Sequence, residues 1–173
     1  MGSLRDRLQW LDGQGAVADG PRRYLMMRPD VLMGAVALLD DGARAALLKA
    51  WAASTREHGG ASLRAYADQV GGDADALMAA TAEAAADLGW GRWTWQRSSD
   101  GLALEVANSP FVEGWRAAAP HASLQPVCAP VRGMFSALLD VLQPDATRVD
   151  EVWCAAMHDR SDRPCRFEAK GSR

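Results

Sequence analysis

Cysteine is scarce in this chain of 173 residues: there are three, Cys128, Cys154 and Cys165, all in its last third. An odd number, with no apolar core behind a basic start to mark an export signal, excludes a disulfide framework and leaves reduced thiols or metal ligands. Histidine is equally sparse, and His58, His121 and His158 lie far apart with no HExxH pattern. The glycine-rich stretch Gly89-Trp90-Gly91 has neither the GxGxxG spacing that brings backbone amides to a pyrophosphate nor a phosphate-binding lysine. No Ser-His-Asp pattern stands out. There is no excess of positive charge: 19 basic against 22 acidic residues leave a net charge of −3, which argues against a nucleic-acid or anionic-membrane surface. No apolar run approaches a membrane span. The expectation is a cytoplasmic protein with neither nucleic acid nor membrane as a direct partner.

What is present reads as an ordinary globular chain, 49% hydrophobic and 24% charged, long enough to bury a real core. No internal repeat or low-complexity linker divides it, so one domain is expected over residues 21–170 behind an N-terminal arm of residues 1–20. In that arm Leu4, Leu8 and Leu11 share a helical face around Trp10, and Gly13, Gly15 and Gly20 then break the chain. The arm reads either as a frayed terminus or as a segment that packs on a second subunit.

Arg22 to Arg28, bounded by Gly20-Pro21 and Pro29, suits a strand; Pro29-Asp30 opens a helix to Leu39, stopped by Asp40-Asp41-Gly42. Apolar residues from Ala43 to Val70 repeat at helical spacing around Gly59-Gly60, which predicts two helices or one kinked helix. Asp73 to Leu88 is a further helix with Leu77, Met78, Thr81 and Ala85 on one face. The character then switches: Gly89 to Arg97 alternates large and polar residues, and Ser98-Ser99-Asp100-Gly101 turns the chain into Leu102 to Val106, a β-hairpin signal. Helices are predicted over Phe111 to Ala119 and Pro126 to Leu142, and strands over Thr147 to Met157 and Cys165 to Ala169. Helices on one side of an antiparallel sheet make an α+β fold.

Cys128, Glu151, Cys154 and Cys165 offer three thiolates and one carboxylate, the complement of a closed tetrahedral zinc shell. Such a site is structural, because no coordination position remains for water or substrate. His158 competes with Glu151 for the fourth position, since imidazole also binds zinc; Asp159 and Asp162 sit in a stretch that reads as a solvated turn. A strand sends residues three apart to opposite faces, so Glu151 and Cys154 can share a metal only if the chain bends between them.

The pattern of Cys128, Glu151-x-x-Cys154 and Cys165-x-Phe167 resembles the four-vinyl-reductase domain family, related to the TRAPP small-subunit fold. Tyr24-Leu-Met-Met-Arg-Pro-Asp30, Leu88-Gly-Trp-Gly91 and Val106-Ala-Asn-Ser-Pro-Phe-Val-Glu113 resemble its conserved blocks, so the likeness runs from about residue 22 to 169. The family includes a bacteriochlorophyll-biosynthesis protein, archaeal hydrocarbon-binding proteins and the sensory domains of phenol- and toluene-responsive activators. The resemblance implies zinc on Cys128, Glu151, Cys154 and Cys165, and a homodimer. Met157-His158-Asp159 departs from the Gly-Asp usual after the second cysteine, which keeps His158 in view as a ligand.

Trp90, Trp93, Phe111, Trp115, Met134 and Phe135 fall on the sheet or on the helices beside it, with Trp95 and Trp153. Such a set is either plain core or the wall of an apolar ligand pocket. The resemblance favours the pocket, because family members with known ligands hold small aromatics, hydrocarbons or tetrapyrroles between sheet and helices. In the phenol sensors a histidine and a tryptophan anchor the hydroxyl; no histidine here matches that position. Three functions follow from the resemblance: a sensor or carrier domain for a hydrophobic small molecule, an auxiliary protein or reductase of tetrapyrrole or bacteriochlorophyll synthesis, and a non-catalytic assembly subunit. A reductase needs an electron source, and no nicotinamide or flavin fingerprint is present. The activators join this domain to an ATPase module and a DNA-binding helix-turn-helix, neither of which the sequence holds, so regulatory output is expected to pass through a separate protein partner.

Overall fold

Helix starts in this chain are set by the residues just ahead of them. The computed structural model describes residues 3–98, 101–142, 146–159 and 161–171. A short helix α1 (Leu4–Arg7) precedes three short strands, β1 (Gln9–Leu11), β2 (Ala16–Asp19) and β3 (Arg22–Tyr24), which pair antiparallel in that order. Residues 9–24 are therefore a small sheet and not a flexible lead-in. Gly15 and Gly20 make its two turns in the left-handed region, at φ 58° and 59°, where a side chain would be strained. The strand predicted to Arg28 stops at Tyr24. The arm folds back on its own chain: Leu4 is buried, and Arg7 donates to the Tyr66 hydroxyl at 3.1 Å and pairs with Asp19.

Helix α2 (Pro29–Ala37) starts on a proline, whose fixed φ suits a first turn, with Asp30 at the positive end. The Asp40 side chain accepts from the Ala43 amide at 2.9 Å and caps α3 (Asp41–Gln69), and Asp73 accepts from the Asp75 and Ala76 amides to cap α4 (Ala74–Asp87). Of the two arrangements expected around Gly59-Gly60, two separate helices do not form: α3 is one helix of 29 residues. Glycine costs a helix roughly 1 kcal/mol, and here packing outweighs that: a Cβ on Gly59 would lie 2.8 Å from Met134 Cε.

Strands β4 (Arg92–Ser98) and β5 (Gly101–Ala107) form the predicted hairpin; Ser99 and Asp100 of its turn lie outside the described residues. Then follow α5 (Pro110–Ala118), α6 (Ala129–Leu142), β6 (Ala146–Trp153) and β7 (Cys165–Gly171). The four strands make an antiparallel sheet in the order β4-β5-β7-β6, so the two hairpins lie side by side through β5 and β7. The fold is α+β, as the sequence implied. The Gln143-Pro144-Asp145 turn lies outside the described residues.

Strand alternation gives the sheet two unlike faces. Register aligns Trp95, Leu104, Phe167 and Glu151 in one row, and Trp93, Val106 and Cys165 in the next. Leu104 and Phe167 are fully buried, so this face meets the core and carries Glu151 and Cys165 into it. The opposite face is polar: Arg166 bridges Gln96 and Glu105 across the strands and pairs with Glu168. The core cluster runs from Met33 on α2 through Leu48 and Leu63 on α3, Leu77 on α4 and Phe111 on α5 to Leu138 on α6.

Arg44 locks the joint between α2 and α3. It is buried, its Nε donates to the Val36 carbonyl at 3.2 Å, and its Nη2 donates to the carbonyls of Ala37 and Leu39. Nη1 pairs with Asp41 at 2.8 Å, and the guanidinium lies 5.3 Å from the Trp115 ring centroid. The last carbonyls of a helix lack a full set of intrahelical partners, and this side chain adds a donor there, with the Val36 carbonyl also accepting from the Leu39 amide at 3.3 Å. Arg44→Met keeps the aliphatic stem and removes these charged donors; the expected loss is about 2–3 kcal/mol. Thermal denaturation should show a Tm lower by roughly 5–10 °C.

Candidate functional site

Two features share the inner face of the sheet: a cluster of acids at its β6–β7 end and a cavity at its β4 end. The cluster is built from three elements. Pro126 to Cys128 lies outside any helix or strand and α6 begins only at Ala129, with Pro130 in its first turn, so Cys128 lies just ahead of the helix instead of inside one starting at Pro126. Cys165 is the first residue of β7, and Glu151 sits opposite Phe167 on β6. The bend required between Glu151 and Cys154 is present: the β6–β7 register slips between Glu151 and Trp153, and after Trp153 the chain leaves the strand for a 3-10 turn at Ala155–Met157. That bulge overrides the strand alternation and returns Cys154 to the side of Glu151.

One ligand atom from each of Cys128, Glu151, Cys154 and Cys165 lies within 4.8 Å of all the others, an arrangement that could hold a metal ion. All three thiols are buried. The Cys128 and Cys165 sulfurs are 3.8 Å apart, the Ala155 amide donates to Cys165 Sγ at 3.3 Å, and the Cys128 amide donates to Glu151 Oε2 at 3.3 Å. The Ser109 hydroxyl lies 3.3 Å from Cys128 Sγ. Burial pushes the Cys128 thiol well above its ordinary value, helped by hydrogen bonds with Cys154 and Cys165. Burial, then the neighbouring Cys154, likewise raises the Glu151 carboxyl well above the usual range. Cys165 goes the other way, lowered to about 4 by hydrogen bonds from Cys128 and Cys154. Four acids crowded into a dry space resist ionising together unless a cation joins them. Glu151 Oε1 supports the same conclusion: it is buried with no hydrogen-bond partner, a costly state that a bound cation would relieve.

His158 is not part of the cluster. Its ring stacks flat on Trp153, centroids 3.8 Å apart and planes 7° from parallel, and the guanidinium carbon of Arg163 lies 4.3 Å from the Trp153 centroid. Asp159 and Asp162 are exposed, as the solvated-turn reading implied.

The cavity, of about 360 Å³, lies between α3, α4, α6, β3 and the start of β4. Trp51, Leu63, Trp90, Trp93 and Met134 give it apolar walls, and Tyr24, Ser54, Thr55, His58, Ser62, Tyr66 and Thr81 give it polar groups. Trp93 Nε1 donates to the Trp90 carbonyl at 3.2 Å, which fixes the indole. Burial pushes the Tyr24 phenol up, with Tyr66 and Asp19 adding to the shift.

Of the aromatic and methionine set singled out from sequence, Trp90, Trp93 and Met134 line this cavity. Phe111 stands behind them, edge-on to Trp90 at 5.7 Å and to Trp51 at 6.0 Å. Phe135 is fully buried against Trp95 at 5.2 Å, and Trp115 is buried under Arg44 with its Nε1 donating to the His121 carbonyl; neither lines the cavity. The α3 contribution was not recognised from sequence. Trp51 and Tyr66 fall among the apolar residues at helical spacing between Ala43 and Val70, and nothing local marks His58. The available signal was the run of small residues Ser54, Thr55, Gly59 and Ser62 at helical spacing, a face too small to fill the space it borders.

The resemblance blocks meet in space. At φ 89° Gly91 packs on the end of β5, where a Cβ would lie 2.5 Å from the Ala107 carbonyl oxygen and 2.9 Å from that of Asn108. Asn108, at φ 55°, leads directly to Ser109 and its contact with Cys128.

Among solved structures, the chain is similar to the crystal structure of the phenol-responsive sensory domain of the transcription activator PoxR with phenol, at a TM-score of 0.77 and 15% identity, covering 97% of this chain and 86% of that one. The two share a fold. No family model and no curated protein matches this chain. Among the described residues, no helix is long and apolar enough to cross a membrane.

Proposed function

We propose that this protein is a zinc-stabilised sensor or carrier domain of the four-vinyl-reductase type, binding a hydrophobic small molecule in the cytoplasm. The observation that carries the reading is the tryptophan-walled cavity of about 360 Å³ on the helical side of a sheet folded like a phenol-responsive sensory domain. That volume is near the lower end of the roughly 300–1,000 Å³ typical of ligand pockets. It favours a ligand of one or two rings over a tetrapyrrole, and so favours sensing or carriage over an auxiliary role in pigment synthesis. A purely structural assembly subunit has no use for such a space.

The metal is assigned as zinc from the donor set and its spacing. Zinc–sulfur bonds of about 2.3 Å in a tetrahedron place sulfurs about 3.8 Å apart, the separation of Cys128 and Cys165. Cys128, Glu151, Cys154 and Cys165 would hold the ion, and its role there is to tie α6 to the β6–β7 hairpin. A homodimer suits the apolar residues left exposed along the segment before α2 and on the helices that follow, with Leu25 81%, Met26 72% and Leu38 90% exposed. Output to a separate regulatory partner completes the proposal.

Native mass spectrometry of the purified protein tests all of this in one spectrum. The expected result is a dimer with one zinc per chain and a retained organic mass; a metal-free monomer that binds no apolar probe would refute it. Trp93→Ala should weaken binding of a hydrophobic ligand at least tenfold while zinc content stays unchanged. Equal loss of ligand and zinc would show that Trp93 is core and not wall.

A further inference from the structure

The cavity wall has a charge that its surroundings do not. The chain carries a net −3, yet among the described residues no aspartate or glutamate lines the cavity, while Arg22, Arg23 and His58 do. All three are exposed, as is Ser54, so they mark the side of the cavity open to solvent; Leu63, Thr81, Ala85 and Trp93 are buried and mark its floor. Several exposed arginines pair with carboxylates, as with Arg5, Arg28, Arg56, Arg97 and Arg148. Arg22 and Arg23 have no ion pair among the described residues, and Arg23 has only a 3.5 Å contact from Nη2 to the Gly15 carbonyl. Nearby Arg7 is already engaged by Asp19 and Tyr66, so it leaves the two β3 arginines as the uncommitted charges at the mouth.

The floor has the opposite character. Trp51, Trp90 and Trp93 present indole surface, and Trp93 Nε1 is already committed to the Trp90 carbonyl. Flat apolar rings fit such walls through edge and face contacts. Hydroxyls of Tyr24, Tyr66, Ser54, Thr55, Ser62 and Thr81 add hydrogen-bonding groups but no charge.

We infer that the cavity takes an aromatic carboxylate or a comparable anionic aromatic of one or two rings, its ring between Trp51, Trp90 and Trp93 and its anion at Arg22 and Arg23. This rests on the ligand-binding reading above and narrows it. Guanidinium matches a carboxylate in two-point geometry, which a neutral phenol cannot exploit. The exposed position suits selection by charge, because the anion keeps part of its hydration while the ring is desolvated.

Isothermal titration calorimetry of the zinc-loaded protein with 2-naphthoate, 2-naphthol and 2-naphthylmethylammonium tests the charge preference on one ring system. Wild type should bind the naphthoate at least tenfold tighter than the naphthol, and the cation least. Arg22→Gln combined with Arg23→Gln should weaken naphthoate about tenfold and change naphthol less than twofold. Naphthol binding as tightly as naphthoate, with the double variant indifferent, overturns the anion assignment and leaves the apolar-pocket reading standing. No heat from any of the three, in protein whose zinc content and melting are normal, overturns both.

Discussion

Cys154→Ser should reduce bound zinc from one per chain to nearly none and lower the melting temperature by roughly 6–12 °C. The magnitude follows from the architecture. Structural zinc contributes about 10–16 kcal/mol in fingers that are unfolded without it; here the four ligands adjoin an apolar core extending from Met33 to Phe167, far larger than a finger's, so a loss of about 3 kcal/mol is the expected share. Serine removes one donor and leaves two thiols and a carboxylate crowded in a dry site. Glu151 Oε1 would then remain buried and unpartnered. His158→Ala is the matched control: that ring is stacked on Trp153, so its removal should leave zinc content unchanged. Zinc quantitation by atomic emission and a thermal melt decide both. Full zinc in the Cys154→Ser protein at an unchanged Tm removes the metal reading, and zinc loss in His158→Ala would move the fourth ligand from Glu151.

The second large effect is expected at Gly133. Helix α6 crosses α3 so closely there that a Cβ would overlap the Ala52 carbonyl oxygen and come within 3.0 Å of the Ala52 carbonyl carbon and of Thr55 Cβ. Backbone cannot yield as a side-chain tip can, so Gly133→Ala must push the helices apart. The cost should reach the upper end of overpacking, about 3 kcal/mol. Ligand binding should fall with it, because Thr55 and Met134 line the cavity on either side of this crossing. Gly59→Ala is the instructive contrast. Its new Cβ meets only Met134 Cε and Sδ, the flexible end of a side chain that can swing away. Stability should change by less than about 1 kcal/mol, with the effect confined to cavity volume. Denaturant titration of the two variants separates the cases; equal stabilities would mean that α6 can slide on α3.

Much of the helical layer was legible because its signals are local. Asp73 caps the helix it precedes, Pro29 opens its own, and the two strands of the predicted hairpin, β4 and β5, do pair. Strands β1 and β2 have no such signal for a physical reason: each is only three or four residues long, too short for alternation to show, whereas β3 falls inside the predicted strand and ends four residues sooner. Continuity of α3 through Gly59-Gly60 is equally hidden, since propensity favours a break and what opposes it is the packing of α3 along α6, a segment distant in the chain.

The same division runs through the candidate site. By itself the sequence determined which residues can bind a metal, because thiol and carboxylate chemistry is a property of the side chain, and it determined the supply of indole rings. Only the tertiary structure decided that Glu151 and not His158 joins the three thiols, because that choice depends on a one-residue slip between β6 and β7 that turns Cys154 back toward Glu151. Only the tertiary structure, too, decided which aromatics border empty space. Trp93 and Trp115 are alike in composition and nearly alike in burial, and what separates them is the small-residue face of α3 that stands opposite one and not the other. Packing is a relation between segments distant in the chain, and no local pattern encodes it.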